Sequence, residues 1–340
     1  MDYYFFIKPF FLSLVISFAM LLVIIKGARF FKISDSRLSD RHIHKKGVLR
    51  LGGVAMIAAF VAVLFFDHRL VITNQLLGVL LACAVILFIG VYDDFKQLTW
   101  KSQLFLQIIV IAIVFLFGTH LAYISNPFGG VISFSGSVGY CIGIILAALW
   151  MIFIMNALNW VDGVDGLSGG ITAIGAVTIF LLSLRPEVNQ PPIAIVAITL
   201  LGVALSFLIF NFYPARIIAG TSGSMFMGFI LGVIAIFAGA KIATTALVMV
   251  VPLMDAIWVM YERLRSGESL FLPDKRHLHF RLIQLGWNQW QICFLYYSIT
   301  TLVAFLALNS GGVVKVFSFF VLTVVLFSSL MIISKKTNGI

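Results

Sequence analysis

Runs of about twenty apolar residues recur along almost the whole chain, each closed by a short polar or glycine-rich stretch. In hydrocarbon there is no water to bond backbone N–H and C=O groups, so a run of that length folds as a helix and satisfies them internally. The runs cover 4–26, 48–66, 71–92, 102–118, 138–156, 168–184, 192–210, 223–239, 242–262, 291–308 and 312–333. They predict an all-α integral membrane protein, a polytopic bundle of about eleven transmembrane helices. With 61% hydrophobic and 11% charged residues, nothing between the runs is long enough for a soluble domain, so 1–340 reads as one transmembrane unit.

Basic residues then orient the bundle, because Lys and Arg accumulate in cytoplasmic loops. Of the 23 Lys and Arg residues, only Lys8, Arg69, Arg185, Lys241 and Lys315 fall on one side. This bias predicts an outside N-terminus, a cytoplasmic C-terminus, and cytoplasmic loops at approximately 27–47, 93–101, 157–167, 211–222 and 263–290. The net charge of +10 is mostly this asymmetry, reinforced by attraction to anionic lipid and phosphate, and no nucleic-acid partner is expected. Cys83, Cys141 and Cys293 sit in apolar runs without CxxC spacing and read as small buried hydrophobes. The first run lacks a basic leader and a small-residue cleavage site, and is expected to remain as a helix.

Acidic residues gather on the predicted cytoplasmic side. Asp93 and Asp94 lie in GVYDDFKQLTWK, Asp162 and Asp165 in NALNWVDGVDGLSGG, and Glu262, Glu268 and Asp274 after the ninth run, with Asp255 inside it. Any one cluster could be a solvated cap or an ion pair, and Asp255 could pair with Arg263. Ionisable groups at membrane depth are nevertheless functional candidates because burying them is costly. DGVDGLSGG has too few ligands for an EF-hand and no GxxxxGK[ST]. It offers hard Asn and Asp oxygens suited to Mg²⁺ or Mn²⁺, on a backbone that glycine lets approach a phosphate. ARIIAGTSGSMFMG opens a helix at Gly220–Ser224, where backbone N–H groups could receive an anion. PDKRHLHFRL sets His277 and His279 beside Lys275, Arg276 and Arg281, a cationic patch for phosphate or a uracil-like group. Without a Cys or third His nearby, zinc is disfavoured.

These segments, in this order from SDRHIHKKGVLRLGG through NFYPARIIAGTSGSMFMG and PLMDAIWVMYERL to HLHFRLIQLGW, resemble the polyprenyl-phosphate N-acetylhexosamine-1-phosphate transferase superfamily of glycosyltransferase family 4 type. The undecaprenyl-phosphate GlcNAc-1-phosphate transferases look like the nearest branch. The resemblance implies a Mg²⁺-dependent enzyme that moves a sugar-1-phosphate from a UDP-N-acetylhexosamine to undecaprenyl phosphate and releases UMP. Its active site would lie on the cytoplasmic face of a bacterial-type inner membrane and initiate cell-surface glycan synthesis, with a homodimer as the family expectation. Carried over by position, Asp93, Asp94, Asp162 and Asp165 are catalytic. Lys45, Lys101, Asn159, Asn211, Ser224, Arg276, His277 and His279 bind substrate. Asp162 and Asp165 hold the metal with Thr221, which stands where the family usually has an Asp. Three explanations of that Thr stay open: the two aspartates suffice, the change inactivates, or this is a degenerate member that binds lipid phosphate or nucleotide sugar without turnover. A transporter is a third class, disfavoured because the acids lie at one face and not at the midplane of repeated halves.

Overall fold

A computed structural model describes residues 4–31, 48–238, 241–269 and 275–338; Lys45 and Asp274 lie outside these residues. The described residues form thirteen helices. The first eight are α1 (Tyr4–Phe30), α2 (Gly52–Phe66), α3 (Asn74–Lys96), α4 (Trp100–Leu116), α5 (Gly136–Val161), α6 (Leu167–Ser183), α7 (Pro191–Asn211) and α8 (Gly220–Phe237). After them come α9 (Ile242–Val248), α10 (Val250–Ser266), α11 (Leu278–Gln284), α12 (Gln289–Asn309) and α13 (Gly312–Asn338). Between α4 and α5, β1 (Tyr123–Ser125) and β2 (Val131–Ser133) form a small antiparallel hairpin, with Tyr123 opposite Ser133.

Several helix starts follow from capping chemistry. Thr73 and Thr99 accept the N–H groups of Leu76 and Ser102 at the heads of α3 and α4. Asn288 and Gln291 close a reciprocal capping box on α12. Pro191 and Pro192 occupy the first turn of α7, where no N–H is needed. Seven helices are long and apolar enough to cross a membrane, or eight if α9 and α10 count as one bent span; α2, α4 and α6 are shorter apolar helices. The chain is an integral membrane bundle.

Three expectations need correction. The ninth apolar run is not one straight helix: α9 and α10 meet at 77°. Pro252 explains the break, since it has no N–H to offer the Val248 carbonyl one turn earlier. Cys83 and Cys293 are buried as expected, but Cys141 is exposed on the apolar surface of α5. Residues 278–284, read as loop, form α11.

The core is organised around α8, which packs against α2, α3, α5, α6, α7 and α9 and is buried over 83% of its apolar window, against 6% for α13. Glycine sets the closest approaches. A methyl on Gly53 would sit 2.3 Å from the Gly223 nitrogen, and one on Gly90 would sit 2.3 Å from the Ser222 Cα. Without a hydrophobic force between helices in lipid, such backbone proximity is how dispersion holds them together. Leu49 to Gly53 also runs beside Ile217 to Ala219, joined by N–H···O bonds of 2.9–3.0 Å. The head of α2 is thereby fastened to the segment that leads into α8.

Candidate active site

Four polar elements meet at the end of the bundle where α8 begins. The first is the turn from α3 to α4. Asp94 is buried and accepts the Thr221 N–H at 2.7 Å through Oδ1, and the Ser222 N–H (3.4 Å) and hydroxyl (3.2 Å) through Oδ2. A carboxylate there complements the positive end of α8. Gly220, at φ +70°, makes room: a Cβ would lie 2.5 Å from Asp94 Oδ2. The amides at the head of α8, expected to await an external anion, thus already hold one of the protein's own. Asp93, also buried, accepts the Leu98 N–H at 2.6 Å and is gripped by the Gln103 amide at 3.0 and 3.1 Å.

The loop between α5 and α6 is the second element. Asp162 ends α5 and accepts the Ser168 hydroxyl from the first turn of α6. Asp165 is buried; its N–H donates to Gln289 Oε1 at 2.9 Å, its Oδ2 accepts the Ala215 N–H at 2.9 Å, and its carbonyl accepts the Cys293 thiol at 3.1 Å. Gly166 follows, donating to Asn211 Oδ1 at 2.9 Å and accepting the Tyr297 hydroxyl at 2.5 Å. Asn211 passes the connection on through Nδ2 to the Ile217 carbonyl, at 2.9 Å. Asn211 is therefore buried as a brace between two loops. Ser224, one turn into α8, lies 2.8 Å from Asn159 Oδ1, tying α5 to α8. The Thr221 hydroxyl makes no hydrogen bond among the described residues, although its N–H is committed to Asp94.

The third element is α11 with α10. Asp255 is buried and pairs with His277, Oδ2 to Nδ1 at 3.0 Å, while its Oδ1 accepts the Leu278 N–H at 2.7 Å. Asp255 thus pairs with His277, although the sequence offered Arg263 as its partner. The His277 ring stacks with Trp160 at 5.8 Å and with His279 at 5.7 Å. His279 is fully buried, and neither ring nitrogen has a hydrogen-bond partner among the described residues. A methyl on Gly163 would fall 2.8 Å from its Nε2, so this imidazole faces the loop between Asp162 and Asp165. Burial pushes its pKa down to about 3, and nearby His277 adds to the effect against the opposing pull of Asp255. The cationic patch is largely neutralised from within: Arg281 is buried against Glu262 at 2.5 Å, and Arg276 pairs with Glu268 nearer the surface.

The fourth element is Lys101, exposed in the first turn of α4 with its ammonium 5.7 Å from the Trp100 ring. It stands at a cavity of about 570 Å³ between α3 and α4, walled by Phe88, Ile89, Tyr92, Leu98 and Phe105. The structure so brings together Asn159, Asp162, Asp165, Asn211, Ser224, His277 and His279, with Asp93 and Asp94 attached through α8 and α4. Gln103, Gln289, Ser222 and Tyr297 were not singled out from sequence. Gln103 and Gln289 carried a signal, a carboxamide in the opening turn of an otherwise apolar helix. No group of three His, Cys, Asp or Glu converges as a closed metal cage among the described residues.

Fold and site define a membrane-embedded helical protein with Asp93, Asp94, Asp162, Asp165 and Asp255 drawn to one end of the bundle. The family model for glycosyl transferase family 4 matches residues 76–239. Decaprenyl-phosphate N-acetylglucosaminephosphotransferase of Mycobacterium tuberculosis is 32% identical over 303 residues, 80% of this chain and 74% of the relative. A probable undecaprenyl-phosphate N-acetylglucosaminyl 1-phosphate transferase of Bacillus subtilis is 28% identical, covering 73% and 69%. Phospho-N-acetylmuramoyl-pentapeptide-transferase of Staphylococcus aureus is 27% identical, covering 88% and 97%. The chain belongs to glycosyl transferase family 4, the family of polyprenyl-phosphate sugar-phosphate transferases.

Proposed function

We propose that this chain transfers an N-acetylhexosamine-1-phosphate, with GlcNAc as the default sugar, from a UDP-sugar to a polyprenyl phosphate of the undecaprenyl type. An oxygen of the acceptor phosphate attacks the β-phosphorus. The bond from that phosphorus to the bridging oxygen breaks, and UMP departs with the electron pair. The acceptor's second pKa is about 6, so it is largely ionised near neutrality and needs little help from a base. Positioning and charge neutralisation are the larger contributions.

The observation that carries this reading is the junction of the Asp162–Gly166 loop, the head of α8 and α11 at one end of apolar helices, where a soluble nucleotide can meet a lipid head group. Lys101 receives the acceptor phosphate, and the apolar cavity beside it suits the first isoprene units. Asp93, oriented by Gln103, flanks that position. His279, neutral and facing Gly163, supplies a fixed donor or acceptor to the donor sugar-nucleotide, while His277 is held in place by Asp255. Arg276, Asn159 and Ser224 complete the binding wall.

The donor set also fits a Mg²⁺ or Mn²⁺ ion. Asp162 and Asp165 present hard carboxylates on one short loop, and Mg²⁺ is ordinarily held by one or two carboxylates with substrate phosphates and water. When bound, the ion neutralises the diphosphate and the departing UMP. Thr221 would contribute a hydroxyl, a weaker partner than the usual carboxylate. That residue also favours a second reading, an impaired member that binds lipid phosphate or nucleotide sugar without turnover.

The seven long helices, the bent pair and the three shorter apolar helices correspond in position to the eleven runs in the sequence. We read them as eleven spans, with the site at the cytoplasmic face of a bacterial inner membrane on the bias of basic residues between the runs; a homodimer is the assembly we expect. The test is UMP release from UDP-GlcNAc with undecaprenyl phosphate, with and without Mg²⁺, beside Thr221→Asp. Mg²⁺-dependent turnover by the unaltered protein supports the enzyme. Turnover only after Thr221→Asp supports the impaired member, and silence in both rejects transfer from UDP-GlcNAc.

A further inference from the structure

The end of the bundle opposite the aspartates holds a second concentration of charge. Helix α6 starts at the Asp162–Gly166 loop and runs away from it, delivering Arg185 to the far end just after Ser183. Likewise α8 starts at Gly220 and delivers Lys241 to that end after Phe237. Lys315, in the first turn of α13, completes the group. The Lys315 ammonium is fixed on the buried Thr244 hydroxyl at 3.1 Å, and the Lys241 ammonium lies 3.5 Å from Ser125 of the hairpin. Gly312 packs so tightly on Pro127 that a methyl would lie 2.8 Å from its Cα, holding α13 against the hairpin.

No ion pair engages Arg185, Lys241 or Lys315 among the described residues. Lys241 and Arg185 both act electrostatically on Lys315, and no acidic group does. Glu187, exposed two residues after Arg185, makes no ion pair with any of the three among the described residues, whereas elsewhere at this end Arg69 pairs with Asp67, which Lys8 also faces. Three half-buried cations brought together from separate segments repel one another, and a counter-anion offsets that cost. The surroundings indicate where it comes from. Val313, Val314, Val316 and Phe317 around Lys315 are 50–66% exposed on a helix that faces lipid along most of its length.

We propose that Arg185, Lys241 and Lys315 bind a phosphate-bearing anion, the head group of an anionic phospholipid in the leaflet opposite the aspartate layer. A guanidinium fork and two ammonium groups match phosphate oxygens, and the apolar face of α13 lies against the acyl chains.

The test uses the full-length protein, purified and stripped of lipid, with phosphatidylglycerol or phosphatidylcholine added back and binding followed by native mass spectrometry and thermal midpoint. Phosphatidylglycerol should bind preferentially, and the Lys241→Gln/Lys315→Gln double variant should lose about tenfold of that affinity. Lys335→Gln/Lys336→Gln, which removes equal charge at the other end of α13, should lose little. Lys315→Arg should retain binding, which keeps the test decisive if the Gln variant is unstable. Equal binding of the two lipids, or an equal loss in the Lys335/Lys336 variant, overturns the proposal. An arm with inorganic phosphate alone separates the sources: protection by phosphate as strong as that by phosphatidylglycerol overturns the assignment to lipid.

Discussion

The two aspartate pairs are built in opposite ways. Asp93 and Asp94 stand on the last turns of a transmembrane helix, with their carboxylates consumed by the fold: Asp94 by the amides that open α8, Asp93 by Leu98 and Gln103. Asp162 and Asp165 stand on a five-residue loop braced from outside by Asn211, Gln289 and Tyr297. Both pairs are hydrogen-bonded, the loop pair through Ser168 to Asp162 and Ala215 to Asp165, but only Asp94 bonds the opening amides of another helix. Under the proposed function the helix pair holds the bundle together and the loop pair meets the ligand.

That contrast can be broken most sharply at Asp162. Asp162→Ala is expected to lower UMP release by about 100-fold or more, the scale of losing one preorganised electrostatic group, while leaving the thermal midpoint in detergent within a few degrees. Asp94→Ala should do the reverse first. It strands the amides of Thr221 and Ser222, costing about 2–3 kcal/mol, seen as a clear drop in thermal midpoint. If Asp94→Ala keeps its midpoint, the division of labour fails.

A smaller effect is expected at the glycine contact beneath Asp94. Gly90→Ala pushes a methyl against the backbone of Ser222 and should cost about 1–3 kcal/mol, read in the same melting experiment. Activity should fall in proportion to folded protein only. Smallest is the acid response of His279. Its pKa is about 3 in the fold against a reference of 6.5. The unfolded chain therefore binds more protons between those values, and stability falls as pH drops from about 6.5 toward 3, with no loss above. His279→Leu should flatten part of that acid slope in thermal midpoints measured from pH 7 to 5.

Much of the fold was legible because one signal dominates it. The apolar runs locate the helices to within a few residues, from α1 at one end to α13 at the other. The break at Met249 was written in Pro252 but masked by an apolar run that continues through it. The hairpin is too short for alternation to register, although Asn126, Pro127, Gly129 and Gly130 mark its turn. At the site, the residue types and their layer were readable; their pairings were not. Asp94 meets Thr221 across 127 positions, and Asp255 meets His277 across 22, distances over which no local pattern specifies a partner. The expectation of an open anion site at α8 failed for this reason, since the carboxylate that fills it comes from a different helix.

The glycine contacts among α2, α3 and α8 bear on how the protein meets bilayers of different depth. Gly53 and Gly90 leave no clearance for α8 to slide against its neighbours, whereas α13, only 6% buried over its apolar stretch, lies at the perimeter. A membrane a few ångström thicker or thinner is therefore accommodated at the perimeter, where adjusting costs only a fraction of a kcal/mol per Å. Asp93 and Asp94 ride on this closely packed trio, so their distance from the head of α8 is insulated from acyl-chain length.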